Sequence, residues 1–600
     1  MRAQRLSPLL LGLVLLAGCD GAKDAPPVDT SAVGETTDEL VVDLVDGTEL
    51  AVLKELGWPV EWNGEELSDE GIAVIRAPKA EHAGILARLR TDPRVESAEP
   101  NQLFGIEPMD LLDTAGSEDE IPDDKVFKPR GSYPNDALYD RQWHMEMVGA
   151  NEAWDYATGK DVIVAVIDTG VAYEDKKGLW APDLQRTRFV AGYDFVNGDA
   201  IAADDHGHGT HCAGTIAQST NNEIGVAGLA PDCKIMPLKV LSAGGWGTTK
   251  DIARAIRWAA DNGAHVLSLS LGGGGYSKVM ADAVAHARSK GCMVVCAAGN
   301  GGRRRVEYPA AYPGATAVAS VGKTGKPAFY TSYGPQVFIA APGGDKKNGA
   351  DGGVLQNTID HKRPGKSMYA FWQGTSMATP HVAGACALLY ELGITDPDAV
   401  EAILAASATP APSGSDRDKY GHGILNAHAA VRHAVVAPSW IALGLVGLFL
   451  FGAVRFTRPA DLSRGLLVLA GVIGAAGLPL LFLREVPVVG QLLTRSAADW
   501  DIVLLGPSWH WSPLFASALI PGFVAFTSLK WRLARSLGCG LALGWSARLF
   551  TGAILPWHDV RWIPGQGLLD GMWLGLNAAA LLALVAVVVR LGRGKEGIGA

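Results

Sequence analysis

Seven cysteines scattered over 600 residues are too few for the disulfide framework that staples small secreted domains. Cys292 and Cys296 fall on one predicted strand, about 13 Å apart at a rise of about 3.3 Å per residue, too far to bond each other. Most of the cysteines therefore read as small buried apolar residues, with room for one bridge. Basic charge is scarce as well. The 52 Lys and Arg against 63 Asp and Glu give a formal net charge of -11, carried mostly before residue 435. That balance excludes a nucleic-acid partner, which needs Lys and Arg clustered on one face. No internal repeat is evident.

What is present divides the chain, because 600 residues exceed one core and the composition changes along them. Basic residues among the first five precede the apolar run Leu9 to Ala17, the layout of an export signal rather than a spanning helix. The chain leaves the cytoplasm. Leu16-Ala17-Gly18-Cys19 resembles a bacterial lipobox, which implies cleavage of residues 1–18 and a diacylglycerol on the Cys19 sulfur. Residues 19–38 are too poor in apolar side chains to pack and form a flexible tether.

Residues 39–108 alternate strand (Leu40 to Leu44), helix, strand (Gly71 to Arg76), helix (Ala80 to Thr91) and strand (Val95 to Ala98), a small α+β unit that closes on Glu99-Pro100-Asn101. Residues 109–135 are acidic and rich in Gly and Pro, an exposed and cleavable linker. Residues 136–435 alternate apolar β-branched runs with helical patterns: Val162 to Ile167, Phe189 to Phe195, Lys234 to Val240, His265 to Leu269, Met293 to Ala297 and Thr316 to Ser320. Continuous apolar strands with helices between them predict an α/β domain, a parallel sheet covered on both faces. Its chemistry belongs at the C-terminal ends of the strands.

Three segments meet that expectation. Asp168 follows a buried strand, His208 stands at the mouth of a helix in Asp205-His206-Gly207-His208, and Ser376 lies on a turn entered by Gly374. A serine hydroxyl needs a base to take its proton, and the base needs an acceptor on its other nitrogen. DTG, HGTHCAG and GTSMATPHVAG, in this order, closely match the three motifs of the subtilase family over roughly three hundred residues. The resemblance implies a subtilisin-like serine endopeptidase acting through an acyl-enzyme, with Asp168, His208 and Ser376 as triad. It makes His211 a packed helix residue, and His206 reads as exposed. Ala297-Ala298-Gly299-Asn300 resembles the family's AAGN, which makes Asn300 and the Ser376 N–H the oxyanion donors.

Substrate, a protein or peptide, would lie extended beside Ser270-Leu271-Gly272 and Gly245-Trp246-Gly247 as an added strand. The α+β unit resembles the propeptide of these enzymes, a chaperone and inhibitor whose tail occupies the active site, and the resemblance implies that the enzyme removes it itself. Thr220, Asn222, Ile224 and Val226 resemble the family's calcium loop, with Gln142 and Asp183 matching its remaining partners; oxygen ligands suit a hard ion. In the family, the residue before the Tyr-Pro that follows AAGN lies near the floor of the S1 pocket, whose walls here are Ser270 to Gly272 and Ala297 to Gly299. Here it is Glu307. A carboxylate there favours Lys or Arg at P1; alternatively Glu307 turns away and pairs with Arg303, Arg304 or Arg305.

Residues 436–600 contain five apolar runs, Val436 to Val454, Gly465 to Leu483, Ser512 to Leu529, Leu537 to Pro556 and Gly571 to Val589, each near the length that spans hydrocarbon. They predict an all-α transmembrane region. With the protease outside, the inner connections carry Arg455, Arg458 and Arg464, then Lys530, Arg532 and Arg535, then Arg590, Arg593 and Lys595, as the positive-inside rule requires. The lipid bilayer is thus a partner, and the bacterial cell membrane, outer side, the location. Arg548 falls mid-run, where an ionisable group needs a partner that the sequence does not identify. Two other readings compete: a regulated protease subordinate to its membrane region, and a dead binding domain. The intact triad argues against the second.

Overall fold

The computed structural model describes residues 35–64, 70–106, 133–174, 179–360, 363–456, 462–477, 492–505, 510–555, 560, 563 and 568–596. Cys19, the export signal and most of the linker lie outside them.

A seven-stranded parallel path forms the centre of the large domain, in the order Val337–Pro342, Ala315–Val321, Met293–Ala297, Val266–Leu269, Ile163–Asp168, Lys234–Lys239 and Arg188–Phe189. These strands are Val, Ile and Ala because helices cover both faces, leaving no side that can be polar. Thr249–Asp261 and Lys278–Ser289 pack on one face, His208–Ala217 and Thr375–Glu391 on the other, each within its own apolar core. The expected strands stand within a residue or two of their predicted places, with two exceptions. Phe189 to Phe195 divides into Arg188–Phe189 and Tyr193–Asp194, which pair with opposite ends of Lys234–Lys239. Val337–Pro342, broken by little alternation, was not predicted. The six described cysteines are all buried and unbridged.

The N-terminal unit is an antiparallel sheet in the order Val95–Gly105, Thr36–Leu44, Ile72–Arg76 and Val60–Trp62, with helix Lys79–Leu89 on it. Its first predicted helix is a single turn, Ala51–Lys54. Its last strand runs seven residues past Ala98, to Gly105, because the large domain supplies the partners.

At the C-terminus, helices occupy all five apolar runs: Ala427–Phe456, Arg464–Ala476, Leu519–Thr527, Arg532–Ile554 and Leu568–Glu596. Among the described residues three are long and apolar enough to cross a membrane. Trp440, Phe451 and Phe523 are 70–74 % exposed on the outside of this bundle, an apolar surface that water does not favour and lipid does. Arg548 lies inside it and has a partner after all: its Nε donates to Asp499 Oδ2 at 2.8 Å. Asp499 stands 49 residues earlier, beyond the reach of any helical spacing rule.

Candidate active site

Three chain ends converge on one point of the sheet. Asp168, fully buried as the last residue of its strand, accepts from Thr169 N and pairs through Oδ1 with His208 Nδ1, both at 2.7 Å. His208 can approach because Gly209 follows it: a Cβ there would lie 2.1 Å from Gly170 O and 3.1 Å from the Asp168 Cβ. The start of the His208 helix is held by Asp204, whose carboxylate accepts from His206 N, Gly207 N, Thr210 N and Thr210 Oγ1. Asp204 is buried and does an N-cap's work from outside the helix. Sequence reasoning missed it; an Asp four residues before the base was the signal. Lys239 was missed too. Its buried ammonium donates to Thr169 O, Leu241 O and Asp205 Oδ1, bracing the loop after Asp168.

Ser376 is the second residue of helix Thr375–Glu391, so its N–H is among the first four, which have no intrahelical acceptor. Pro380, four residues on, has no N–H to give the Ser376 carbonyl, and that carbonyl instead accepts from Ser270 Oγ at 2.8 Å. Ser376 Oγ donates to Ser270 O at 3.1 Å. Asn300 Oδ1 accepts from both Thr375 N and Thr375 Oγ1 at 2.8 Å, which fixes the amide at the helix start. The site therefore holds a hydroxyl, an imidazole whose Nδ1 is occupied by a carboxylate, and two candidate N–H donors at a helix N-terminus.

His211 packs as predicted: its ring stacks on Trp372 at 4.8 Å, Nε2 meets Val354 O at 3.1 Å, and burial lowers its pKa to about 3. His206 does not lie exposed. It is fully buried, and a Cβ on Gly245 would come within 3.5 Å of its Nε2.

The cleft beside Ser376 already contains a strand. Leu103, Phe104 and Gly105 pair antiparallel with Thr248, Gly247 and Trp246 on one side; Phe104 and Gly105 pair with Gly273 and Gly272 on the other. Ile106 N continues the ladder to Gly245 O at 3.0 Å. These are the two edges named from sequence as the substrate path. The Phe104 ring is buried under Gly274, where a Cβ would meet it at 2.5 Å. The same strand docks on two helix starts: Glu99 accepts from Lys278 N and Ser277 Oγ, and Asn101 Oδ1 accepts from Lys250 N at 3.2 Å. Each acceptor satisfies N–H groups that a helix start leaves over.

The residues expected to hold a cation lie close together. Asp183, fully buried, accepts from Asn222 Nδ2 at 2.7 Å and Val226 N at 3.0 Å. Gln142 meets the end of the loop: Oε1 accepts from Ala227 N, and Nε2 donates to Ala227 O and Leu355 O. Asp136 also faces the loop, accepting from Asn221 N at 2.8 Å. Burial and then the neighbouring Asp136 charge push the Asp183 pKa well above the carboxylate range. Two buried carboxylates beside a turn rich in oxygen are what a hard divalent ion stabilises, so these residues fit calcium. The carbonyls of Thr220, Ile224 and Val226 belong to the same turn.

A sequence model of the Subtilase family matches residues 159–423. Thermitase of Thermoactinomyces vulgaris is 40% identical over 302 residues, 50% of this chain and 99% of its own. Subtilisin Savinase of Lederbergia lenta is 40% identical over 276 residues, 46% of this chain and 92% of its own. Among solved structures, fervidolysin of Fervidobacterium pennivorans, described as a keratinolytic enzyme related to subtilisin, superimposes with a TM-score of 0.54 at 26% identity, covering 68% of this chain and 65% of that one.

Proposed function

Because the chain belongs to the subtilase family of serine endopeptidases, we propose that Asp168, His208 and Ser376 cut peptide bonds in proteins outside the cytoplasm, on a membrane anchor. The observation that carries the reading is the 2.7 Å contact between Asp168 Oδ1 and His208 Nδ1 beside Ser376 at a helix start. Ser376 Oγ attacks the scissile carbonyl, His208 Nε2 takes its proton and returns it to the leaving amine, and Asp168 holds the tautomer and stabilises imidazolium. The oxyanion receives the Ser376 N–H and Asn300 Nδ2. Water then releases the acyl-enzyme.

Residues 39–108 act as propeptide and inhibitor, since Leu103 to Ile106 take up the main-chain bonds that a substrate would use. Cleavage within 109–135 by the enzyme itself frees the domain at 136–435. Asp136, Asp183 and the 220–226 turn hold calcium, which neutralises two buried carboxylates and locks the turn to the domain. The helices beyond residue 436, and a lipid on Cys19, keep both fragments on the outer face of the membrane. Expressing the full chain with Ser376→Ala tests the reading: it should neither hydrolyse peptides nor lose residues 39–108. Processing that persists in that variant, expressed alone, removes self-cleavage.

A further inference from the structure

The catalytic edge of the central sheet and its membrane edge lie opposite one another. Asp168 ends strand Ile163–Asp168, and Ser376 Oγ donates to Ser270 O, one residue past strand Val266–Leu269, so the triad stands where the parallel strands finish. The helix that carries Ser376 then runs back to where they start. Tyr390 Oη donates to Gly291 O at 2.7 Å, two residues before strand Met293–Ala297. The Tyr390 ring meets that of His265, the residue before strand Val266–Leu269, at 5.8 Å. Glu391 accepts from the Thr158, Gly159 and Lys160 N–H groups, a few residues ahead of strand Ile163–Asp168.

The bundle is fastened to this second edge. A Cβ on Gly393, two residues past Glu391, would lie 2.8 Å from both His510 Cδ2 and Ile502 Cδ1. Leu392, Ile394 and Ala434 line the same seam with Asp499 and Arg548. Helix Ala427–Phe456 crosses it as one element, with Ala434 in the core of the large domain and Ala442 in the core of the bundle. Trp440, between them, is 70% exposed on the apolar outer surface. Lipid that covers this surface therefore begins within about 9 Å of Ala434, six residues away at about 1.5 Å each. A domain held by a continuous helix and by a second, packed contact cannot tip its cleft down to the bilayer.

We propose that the bundle holds the cleft at a fixed stand-off from the bilayer, so that the enzyme cuts membrane-anchored proteins only in segments well clear of the lipid. The assignment rests on the proteolytic and membrane readings above and adds the class of bond within reach. The helix from Ser376 to the seam sets the height, about 25 Å for 17 residues at about 1.5 Å each. The cleft takes an extended strand, as its edges at Trp246–Thr248 and Gly272–Gly273 show. An anchored chain that rises extended from the bilayer, at about 3.3 Å per residue, therefore needs about eight residues before it enters the cleft. Bonds nearer the lipid are out of reach however well their side chains fit, and an anchored protein keeps a stub of at least that length.

The test places the full-length chain, allowed to mature, in liposomes with a substrate made of one transmembrane helix and an outward segment that repeats one sequence the enzyme cuts as a soluble peptide. The repeats begin about 5, 12 and 20 residues from the helix, or about 16, 40 and 66 Å when extended. Mass spectrometry should find the two distal repeats cut and the proximal one intact, whereas the same segment without its helix is cut at all three. Soluble subtilisin added to the same liposomes is free to turn its cleft toward the lipid and should cut the proximal repeat as well. Three results overturn the stand-off: the proximal repeat cut as fast as the distal ones, the anchored substrate left whole beside a cleaved soluble peptide, or the proximal repeat spared by soluble subtilisin too. Flotation and a fluorophosphonate that labels Ser376 separate the failures. Labelled enzyme that floats with the liposomes and cuts the proximal repeat refutes the stand-off alone. Enzyme that does not float refutes the membrane reading with it, and absence of both labelling and peptide hydrolysis refutes the proteolytic reading with it.

Discussion

Asn300 gives the sharpest test of the chemistry, because its two amide atoms have different partners. Oδ1, the acceptor, is held by Thr375 N and Thr375 Oγ1, and Nδ2 is the donor atom that an oxyanion requires. Replacing Asn300 by Ala removes that donor and should lower kcat by about 10²–10³, or about 2.7–4 kcal/mol of barrier, with KM nearly unchanged, since the charge develops only in the transition state. Asn300→Asp should be worse than Ala. One of its oxygens can still accept from Thr375, and the other then presents negative charge where the oxyanion forms. Thr375→Val keeps the backbone donor and loses one of two contacts to Oδ1, a perturbation of about 1 kcal/mol and thus about fivefold in rate. Steady-state hydrolysis of one peptide by the four proteins decides the matter. The reasoning fails if Asp at 300 retains more activity than Ala, or if the loss appears in KM rather than kcat.

Within the bundle, Arg548→Met alone should cost about 3–5 kcal/mol by stranding the Asp499 carboxylate, and adding Asp499→Leu should recover most of it, as read by thermal unfolding in detergent. Asp43, in the strand that faces the large domain, has its pKa raised to about 7 by burial, then Glu96 and Asp282, against the offset of Lys278 and Arg257. Its protonated form is favoured when docked, so its contribution is complete below the ordinary carboxylate value of 3.8 and is lost as pH rises through about 7. Urea unfolding of the N-terminal unit in a Ser376→Ala background should accordingly need less denaturant at pH 8 than at pH 5, and Asp43→Asn should flatten the difference. Chelation of calcium should lower the thermal midpoint of the large domain by on the order of 5 °C or more, an effect that Asp136→Asn reduces.

The sheet and the triad were legible because their signals are local. A buried parallel strand is a continuous apolar run, and each catalytic group sits within a few residues of glycines that its approach requires, as Gly209 is by His208. What escaped depends on contacts between distant segments. Residues 99–105 carry a proline and no alternation, yet they extend a strand because Gly245 to Thr248 and Gly272 to Gly273 flank them. His206 has polar neighbours in sequence and looked solvated, but lies buried near Gly245, whose carbonyl takes Ile106 N. Asp136 lies far from residues 220–226 in sequence, and only the hydrogen bonds bring it to face the loop, where Gln142 also meets Ala227.

Contacts between distant segments also join the large domain to the C-terminal helical bundle. Helix Ala427–Phe456 is continuous: Ala427, Ala430, Val431 and Ala434 belong to the core of the large domain, and Ala442, Val446 and Leu450 to that of the bundle. A composition boundary near residue 435 thus falls inside one helix. A second contact reinforces it. The helix that carries Ser376 ends at Glu391, whose carboxylate accepts from Thr158, Gly159 and Lys160 N–H groups, and two residues later Gly393, at φ 84°, lies against the bundle. A Cβ there would come within 2.8 Å of both His510 Cδ2 and Ile502 Cδ1. A passive tether needs no such fit. Its attachment would be a linker, and its removal would leave the enzyme intact. Here a cut at 435 would shorten the helix that seals the large domain and expose Leu392, Ile394 and Ala434, which line the seam with Asp499 and Arg548. The helix that carries Ser376 thus spans about 25 Å, at 1.5 Å per residue over its 17 residues, between the active site and the C-terminal bundle, and packs continuously at both ends.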